Sequence, residues 1–540
     1  MAVAAQPQEP VRQEILHQQL SDAVLRQCRR RTAQLHHFGA EGFLRPVPAR
    51  MIALAAMAAL SLAGRPAAAA VHDVVYIGAR AIDPESGLDA VRNIAIDGDR
   101  ITAVTVAPIE GRRTIDARGL IAAPGFIDLH SHATNQETAG YQARDGVTTR
   151  LELEIGAYPV DRWYAKRAGR ELLNYGTSVG HTPIRYFLQK GGGAEGLVAL
   201  DKPEAFFAGE EIDRPIPDAQ YGRLAPLLEE GLRAGAIGIG SGTQYAPGIT
   251  HKEMLDVTRV AGRMRTCVFT HVRYGSLVEP DSTLESVQES IANAAITGAC
   301  VHVVHINSMA MSDAPLMTRL MREAKAHGVD VSTETYPWDG SVDSIRSVIF
   351  DPGWEKRWGV GVGDLQSRST GKRLTQAEFD ALRSGTGDDG VIMHMNSEAT
   401  IAALLRDPPV LVASDGGNIA GANSHPRSAG TFARVLGHYV RETGVLGWSE
   451  AIRKMALMPA QRLEAFVPAM RRKGRLQAGA DADIVLFDPA TVGAKAAYGD
   501  AARPSEGFRY VMVNGVLVVD QGALVPDVRP GRPVRSEFRK

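Results

Sequence analysis

Short apolar runs alternate with helix-compatible stretches through the middle of the chain, from about residue 120 to residue 476. Eight runs read as strands: Gly125-Phe-Ile-Asp-Leu, Thr149-Arg-Leu-Glu-Leu-Glu-Ile, Thr177-Ser-Val-Gly, Ala236-Ile-Gly-Ile-Gly, Cys267-Val-Phe-Thr, Val301-His-Val-Val, Val329-Asp-Val-Ser-Thr and Val410-Leu-Val-Ala-Ser. Strands that alternate with helices predict βα units and a parallel sheet, and this many predict a (β/α)₈ TIM-like barrel of the α/β class. The two ends follow a different grammar. Residues 74–104 hold short β-rich runs broken by turns, with Asp97-Gly98-Asp99 as a hairpin signal, and the far end repeats this at Asp483-Ile-Val-Leu-Phe-Asp and around Asn514-Gly515. Residues 71–119 and 477–540 are therefore expected to build one small β-sandwich, with the barrel, 120–476, inserted between its halves.

Two segments break this pattern. Between the seventh and eighth strands, residues 338–396 form a long connection rich in Gly, Trp and charge, and a connection of that length at that face predicts a functional lid. Near the start, Arg45 and Arg50 precede an apolar run, 52–63, and Ala68-Ala69-Ala70 offers small residues for cleavage, the pattern of a signal peptide over 51–70. The run falls short of the roughly 20 residues a bilayer span needs, so no stable membrane span is expected and export to the periplasm or medium is. About fifty residues precede it. A start at Met51 would remove them, so 1–50 is an extension either disordered or not translated. If 51–70 is instead an apolar helix behind a disordered tail, the protein stays in the cytoplasm.

A chain of 540 residues accommodates one decorated barrel with a satellite domain, and at 44% hydrophobic, 22% charged and net charge −1 it is neither disordered nor an electrostatic nucleic-acid binder. A small molecule is the expected partner, and a homo-oligomer is left open. The three cysteines, Cys28, Cys267 and Cys300, do not suggest a disulfide framework, and the last two lie in apolar strands as expected buried, inert thiols.

Candidate chemistry collects at strand ends. His130 and His132 follow the first apolar run, and residues two apart in a strand face the same way, so both imidazoles reach one metal. His271 closes the fifth strand candidate, His305 the sixth and Asp415 the eighth, at the C-terminal ends where barrels build active sites. Glu152 and Glu154 are same-face carboxylates in an apolar strand that would not hold them unpaired. A ligand bridging two metals accounts for one of them. Glu154, nearer the strand end, is preferred, with Glu152 the alternative metal ligand or a partner of one, and a buried ion pair with an arginine is the competing account. Arg273, two residues after His271, shares its orientation if the strand continues and would pair bidentately with a substrate carboxylate. Tyr336, His181, Arg185 and Arg427 are further pocket candidates, each equally open to a structural role.

Longer blocks extend the picture: Ala123-Pro-Gly-Phe-Ile-Asp-Leu-His-Ser-His, Gly146-Val-Thr-Thr, Gly235-Ala-Ile-Gly-Ile-Gly, Thr335-Tyr-Pro, Ala413-Ser-Asp, His425-Pro-Arg-Ser-Ala-Gly-Thr-Phe, Pro459-Ala-Gln-Arg-Leu, Gly474-Arg-Leu and Ala480-Asp-Ala-Asp-Ile-Val. On these, from about residue 74 to 532, the chain resembles the amidohydrolase superfamily and, within it, the D-aminoacylase (N-acyl-D-amino-acid deacylase) branch. The His-Pro-Arg block is the most branch-specific. The resemblance implies a zinc centre on His271 and His305, a second site at His130 and His132, thus one or two zinc ions, and Asp415 as acid/base. The chain departs from the pattern twice. Glu154-Ile155-Gly156 stands where typical members carry a cysteine ligand, and a carboxylate in its place hardens the site and favours two metals. Asn307 stands two residues after the sixth-strand histidine, where typical members use a lysine to hold the substrate's carboxylate, and it joins the substrate-facing candidates.

These ligands imply hydrolysis of a small-molecule amide: zinc lowers the pKa of a bound water towards about 7 and polarises the scissile carbonyl, and Asp415 takes the proton and returns it to the leaving amine. The expected substrate is an N-acyl amino acid, of D configuration by the resemblance. A cyclic-amide hydrolase of the dihydroorotase or hydantoinase kind, or a metallodipeptidase, would use nearly the same ligands. A non-catalytic barrel scaffold would be expected to have lost them.

Overall fold

The computed structural model describes residues 71–193, 212–385 and 390–538, so the expectations for 1–50, for 51–70 and for Cys28 lie outside the described residues. Eight parallel strands form one sheet in sequential order: β1 (Phe126–Asp128), β2 (Val147–Ala157), β3 (Asn174–Gly180), β4 (Ile239–Gly242), β5 (Cys267–His271), β6 (Cys300–Val303), β7 (Val331–Thr335) and β8 (Val410–Val412). The sheet closes on itself past the ends of β1 and β8. There Ser131 bridges Gly416, and the Ser414 N–H donates to Asp128 Oδ1 at 2.9 Å. Each apolar run of the sequence supplies one barrel strand.

Four of the intervening helices begin where a short polar side chain accepts a free first-turn N–H: Asn135 from Thr138, Thr250 from Glu253, Ser282 from Glu285 and Ser397 from Thr400. Ile127, Leu151, Leu153, Ile237, Phe269 and Leu411 form a buried cluster with Met458 and Leu463 of helix Met458–Leu463. That apolar packing is what fixes the strands from which the polar ends project.

The segments on either side of the barrel share a nine-stranded sheet, joined where Ile121–Pro124 pairs antiparallel with Ile484–Phe487. Period-2 alternation gives the sheet two buried faces. Ile484, Leu486 and Met512 meet Tyr76, Ile94 and Ile96 in the domain's own core, while Val485, Phe487, Val511 and Val513 pack against Phe126, Phe432 and Leu436 of the barrel. The composite domain is thus one continuous sheet curled around its own core, with its other face laid on the barrel.

The connection between β7 and β8 has structure of its own. Strand Gly390–His394 pairs antiparallel with both Gly340–Ser344 and Leu365–Ser367, over a core of Ile349, Phe350, Trp354, Trp358 and Phe379. Its first strand begins five residues after Thr335 ends β7, so it rises directly from the C-terminal rim of the barrel. Among the described residues no helix is long and apolar enough to cross a membrane.

One expectation is corrected. Cys267 and Cys300 are not separate thiols but a disulfide, because the parallel register of β5 and β6 makes them direct partners with Cα atoms 4.4 Å apart. Sequence spacing could not reveal this, since the register of two strands 33 residues apart is a tertiary fact.

Candidate metal centre

Five of the barrel strands deliver the site. His130 and His132 leave β1, Glu154 lies in β2, His271 ends β5, and His305 and Asp415 follow β6 and β8. The last two turn into the barrel mouth through left-handed backbone, with φ 31° at His305 and 52° at Asp415. Such a conformation costs a non-glycine residue about 1–3 kcal/mol and persists where its surroundings demand it.

Glu154 is the hub. Its Oε1 lies 2.9 Å from His271 Nδ1 and 3.0 Å from His305 Nε2, and its Oε2 lies 3.3 Å from His130 Nε2 and 3.1 Å from His132 Nε2. One oxygen therefore faces each pair of imidazoles, as a carboxylate bridging two metals would. Asp415 Oδ1 completes the His130–His132 side at 3.5 Å from both Nε2 atoms. Two overlapping donor sets, His130 with His132 and Asp415, and His130 with Glu154 and His305, each have all ligand atoms within 4.8 Å of one another.

The hydrogen bonds behind the donors fit a metal. His132 Nδ1 lies 2.7 Å from Glu152 Oε2, His130 Nδ1 lies 2.7 Å from Glu334 Oε1, and His271 Nε2 lies 2.8 Å from Gln244 Oε1. Each of these acceptors fixes a proton on the outer ring nitrogen and leaves the inner lone pair free to ligate. His130 and His132 then present two Nε2 atoms only 3.0 Å apart. Two opposed lone pairs, or two opposed N–H groups, repel at that distance. Two bonds of about 2.0–2.1 Å to one tetrahedral zinc hold their nitrogens roughly 3.3 Å apart, so a shared cation resolves the conflict.

The electrostatics agree. Burial opposes charge on His130 and His132, but Asp415 and Glu154 around the first and Glu152 around the second raise both well above the ordinary imidazole value. Burial by itself would raise Glu154 and Asp415. The imidazoles, foremost His130, hold Glu154 well below the usual carboxylate range, and Arg427 with His130 does the same for Asp415. The centre is thus built to hold positive charge.

Around it, the sequence candidates divide. Arg427 Nη1 lies 2.8 Å from Asp415 Oδ2, and its guanidinium stands 4.8 Å from the Tyr336 ring. Asn307, two residues past His305, is fully buried with neither amide atom hydrogen-bonded, and the buried Tyr336 hydroxyl also makes no well-formed hydrogen bond. These three stay as candidates for contact with a substrate. Arg273 does not: its guanidinium is spent on Glu289, with Nε to Oε2 at 3.2 Å, and on the Ile249 carbonyl. His181 and Arg185 are also removed, since His181 lies between Ser241 and Glu253 at 2.9 Å each and Arg185 pairs with the same Glu253 at 3.2 Å. In each case a carboxylate on a neighbouring helix, buried Glu253 or half-buried Glu289, claims the side chain. Glu152 stands as the hydrogen-bond partner of His132.

Several contributors were not singled out from sequence. Gln244, Glu334 and His302 lie in or beside strands otherwise read only for apolarity, although polar Ser332 and Glu334, two apart in β7, carry the same-face signal that flagged β2. The Tyr245 ring lies tilted against His271 with ring centroids 4.5 Å apart. Asp343 comes from the β7–β8 connection. Burial pushes its pKa up to about 7, partly offset by the nearby His271.

Donors of this kind at the mouth of a parallel barrel define a class, the metal-dependent barrel hydrolases. The profile of the amidohydrolase family matches residues 229–519, and the chain belongs to that family. It is similar to N-acyl-D-glutamate deacylase of Alcaligenes xylosoxydans xylosoxydans, 28% identical over 521 residues that cover 86% of this chain and 97% of the relative. D-aminoacylase of the same organism is 26% identical over 491 residues, 84% of this chain and 95% of the relative. Among solved structures, N-acyl-D-glutamate deacylase from Bordetella bronchiseptica, complexed with zinc and a phosphonate mimic of the tetrahedral intermediate, aligns with a TM-score of 0.71 at 25% identity, covering 86% of this chain and all of that one.

Proposed function

We propose that this protein hydrolyses the amide bond of N-acyl-D-amino acids at a zinc centre held by His130, His132, Glu154, His271, His305 and Asp415. The observation that carries the reading is Glu154, whose two oxygens each face one histidine pair with Asp415 alongside. The relatives named above supply the substrate class. Zinc, when bound, supplies Lewis acidity towards the scissile carbonyl and makes water a better nucleophile near neutral pH.

The protein's own residues do the rest. Asp415 takes the proton that the attacking water loses and hands it to the departing amine nitrogen, so one water is consumed and a carboxylate and a free amine result. Arg427, ion-paired with Asp415, orients that carboxylate. Asn307 and Tyr336 offer uncommitted donors and acceptors for the substrate's polar groups. Asn307 cannot supply the charge of a lysine, so carboxylate recognition in this chain leans on neutral donors and Arg427. The deciding experiment screens zinc-loaded protein against N-acyl-D- and N-acyl-L-amino acids, dipeptides and hydantoins. Turnover confined to hydantoins or dipeptides would refute this reading.

Export is also proposed. It rests on the arginine-flanked apolar run and the alanines at 68–70. Mass spectrometry of native protein should find a mature chain beginning near Val71, and an intact Met1 in the cytosolic fraction would overturn it.

A further inference from the structure

Behind His130 lies a carboxylate that belongs to neither donor set. Glu334, in β7, is 1% exposed, and imidazoles occupy both its oxygens: His130 Nδ1 at 2.7 Å from Oε1 and His302 Nε2 at 3.1 Å from Oε2. His302, in β6 and fully buried, has its Nδ1 2.8 Å from Ser332 Oγ, on β7 two residues before Glu334. Ser332, His302, Glu334 and His130 thus form one hydrogen-bonded line from the barrel wall to the metal centre.

The line has a fixed polarity at its inner end. An ionised carboxylate only accepts, so each imidazole must present an N–H to Glu334. His130 therefore keeps its proton on Nδ1 and aims its Nε2 lone pair at His132, Glu154 and Asp415. His132 has an analogous partner in Glu152, but that side chain is 17% exposed, so solvent can stand in for it. Nothing can stand in for Glu334. On the opposite side of Glu154, His271 is held by Gln244, an unrelated residue.

We propose that Glu334, backed by His302 and Ser332, is the positioning residue that decides whether the His130–His132 half of the centre holds a metal ion, while the other half keeps His271, His305 and Glu154, none of which is hydrogen-bonded to Glu334. This rests on the binuclear reading of the site. Glu334→Gln removes the charge but keeps the shape. Its amide oxygen still accepts from His130, and its NH₂ meets His302, which must move its proton to Nδ1 and donate to Ser332. Glu334→Leu removes the acceptor, leaving the His130 Nδ1–H unpaired.

The test is calorimetric titration of chelator-stripped full-length protein with Zn²⁺, with circular dichroism to confirm folding. Wild type should take two equivalents. Glu334→Gln should weaken one of them roughly 10- to 100-fold and leave the other unchanged, and Glu334→Leu should lose one equivalent outright. Ser332→Ala should be nearly silent by itself but deepen the loss in the Glu334→Gln background, where the hydroxyl has become an obligatory acceptor. Should Glu334→Leu fail to fold, Glu334→Gln decides. Folded Glu334→Gln protein that binds both equivalents as wild type does, or loses both together, overturns the proposal. A wild type that takes a single equivalent overturns the binuclear reading and the proposal with it.

Discussion

Asp415→Asn separates the chemistry of this site from its architecture. The substitution keeps the volume and one carbonyl oxygen but removes the charge that lies 2.8 Å from Arg427 Nη1 and 3.5 Å from Nε2 of His130 and His132. Two effects follow, and they can be measured apart. Losing a positioned proton acceptor costs about 10²- to 10⁴-fold in kcat, or roughly 3–5 kcal/mol of barrier. Leaving a buried guanidinium without its carboxylate costs stability, about 3–5 kcal/mol where nothing compensates. Asp415→Asn should therefore lower both kcat and Tm. The double variant Asp415→Asn with Arg427→Met removes the orphaned charge, and should recover most of the Tm and none of the kcat. The assay is amine release from an N-acetyl-D-amino acid, with zinc content by elemental analysis and Tm by calorimetry on the same samples. A folded, metal-replete Asp415→Asn enzyme within about threefold of wild type, a barrier change below roughly 1 kcal/mol, would refute the proton-transfer role.

Glu154→Ala should strip metal from both halves of the centre, because each of its oxygens faces one histidine pair; full zinc content after dialysis against a chelator would contradict the bridging role. Arg273→Met should lower Tm by removing the buried guanidinium's bonds to Glu289 and the Ile249 carbonyl while leaving KM within about twofold; a large rise in KM would return Arg273 to the substrate pocket. Lys454, fully buried with its ammonium donating to the Asp407 and Val410 carbonyls at 2.6 and 2.9 Å, is pushed by burial from 10.5 to about 8. Its folded value lies below its unfolded one, so the unfolded chain binds more protons between these pH values and stability rises with pH across that window. Relative to Lys454→Met, wild type should gain on the order of 3 kcal/mol from about pH 8 to pH 10.5, read from paired denaturant titrations; a difference that stays flat would show that the ammonium is not strained.

How much could be read before folding differed by element. The barrel strands are local facts, since a run such as Cys267-Val-Phe-Thr is apolar whatever surrounds it, and alternation with helices leaves few arrangements. The strand-end histidines follow from the same logic, because a polar residue at the C-terminal end of a buried strand has one mouth to enter. Glu154 was legible for a similar reason: an apolar strand cannot hold a carboxylate without a partner.

What sequence could not decide was which partner claims each polar side chain. Arg273, His181 and Arg185 carry the chemistry of substrate binders, but Glu289 and Glu253 reach them from neighbouring helices, and a buried charge goes to the nearest compensating charge. The Cys267–Cys300 bond depends on strand register, and the line from Ser332 through His302 and Glu334 to His130 depends on three strands meeting inside one barrel. The sequence by itself determined the architecture, the family and the candidate metal donors, because apolar periodicity and donor type are properties of single segments. Only the tertiary structure decided the pairings and the division of labour between Glu152, Glu154 and Glu334, because those are set by distances between separate strands, from 20 residues apart for His132 and Glu152 to 204 for His130 and Glu334.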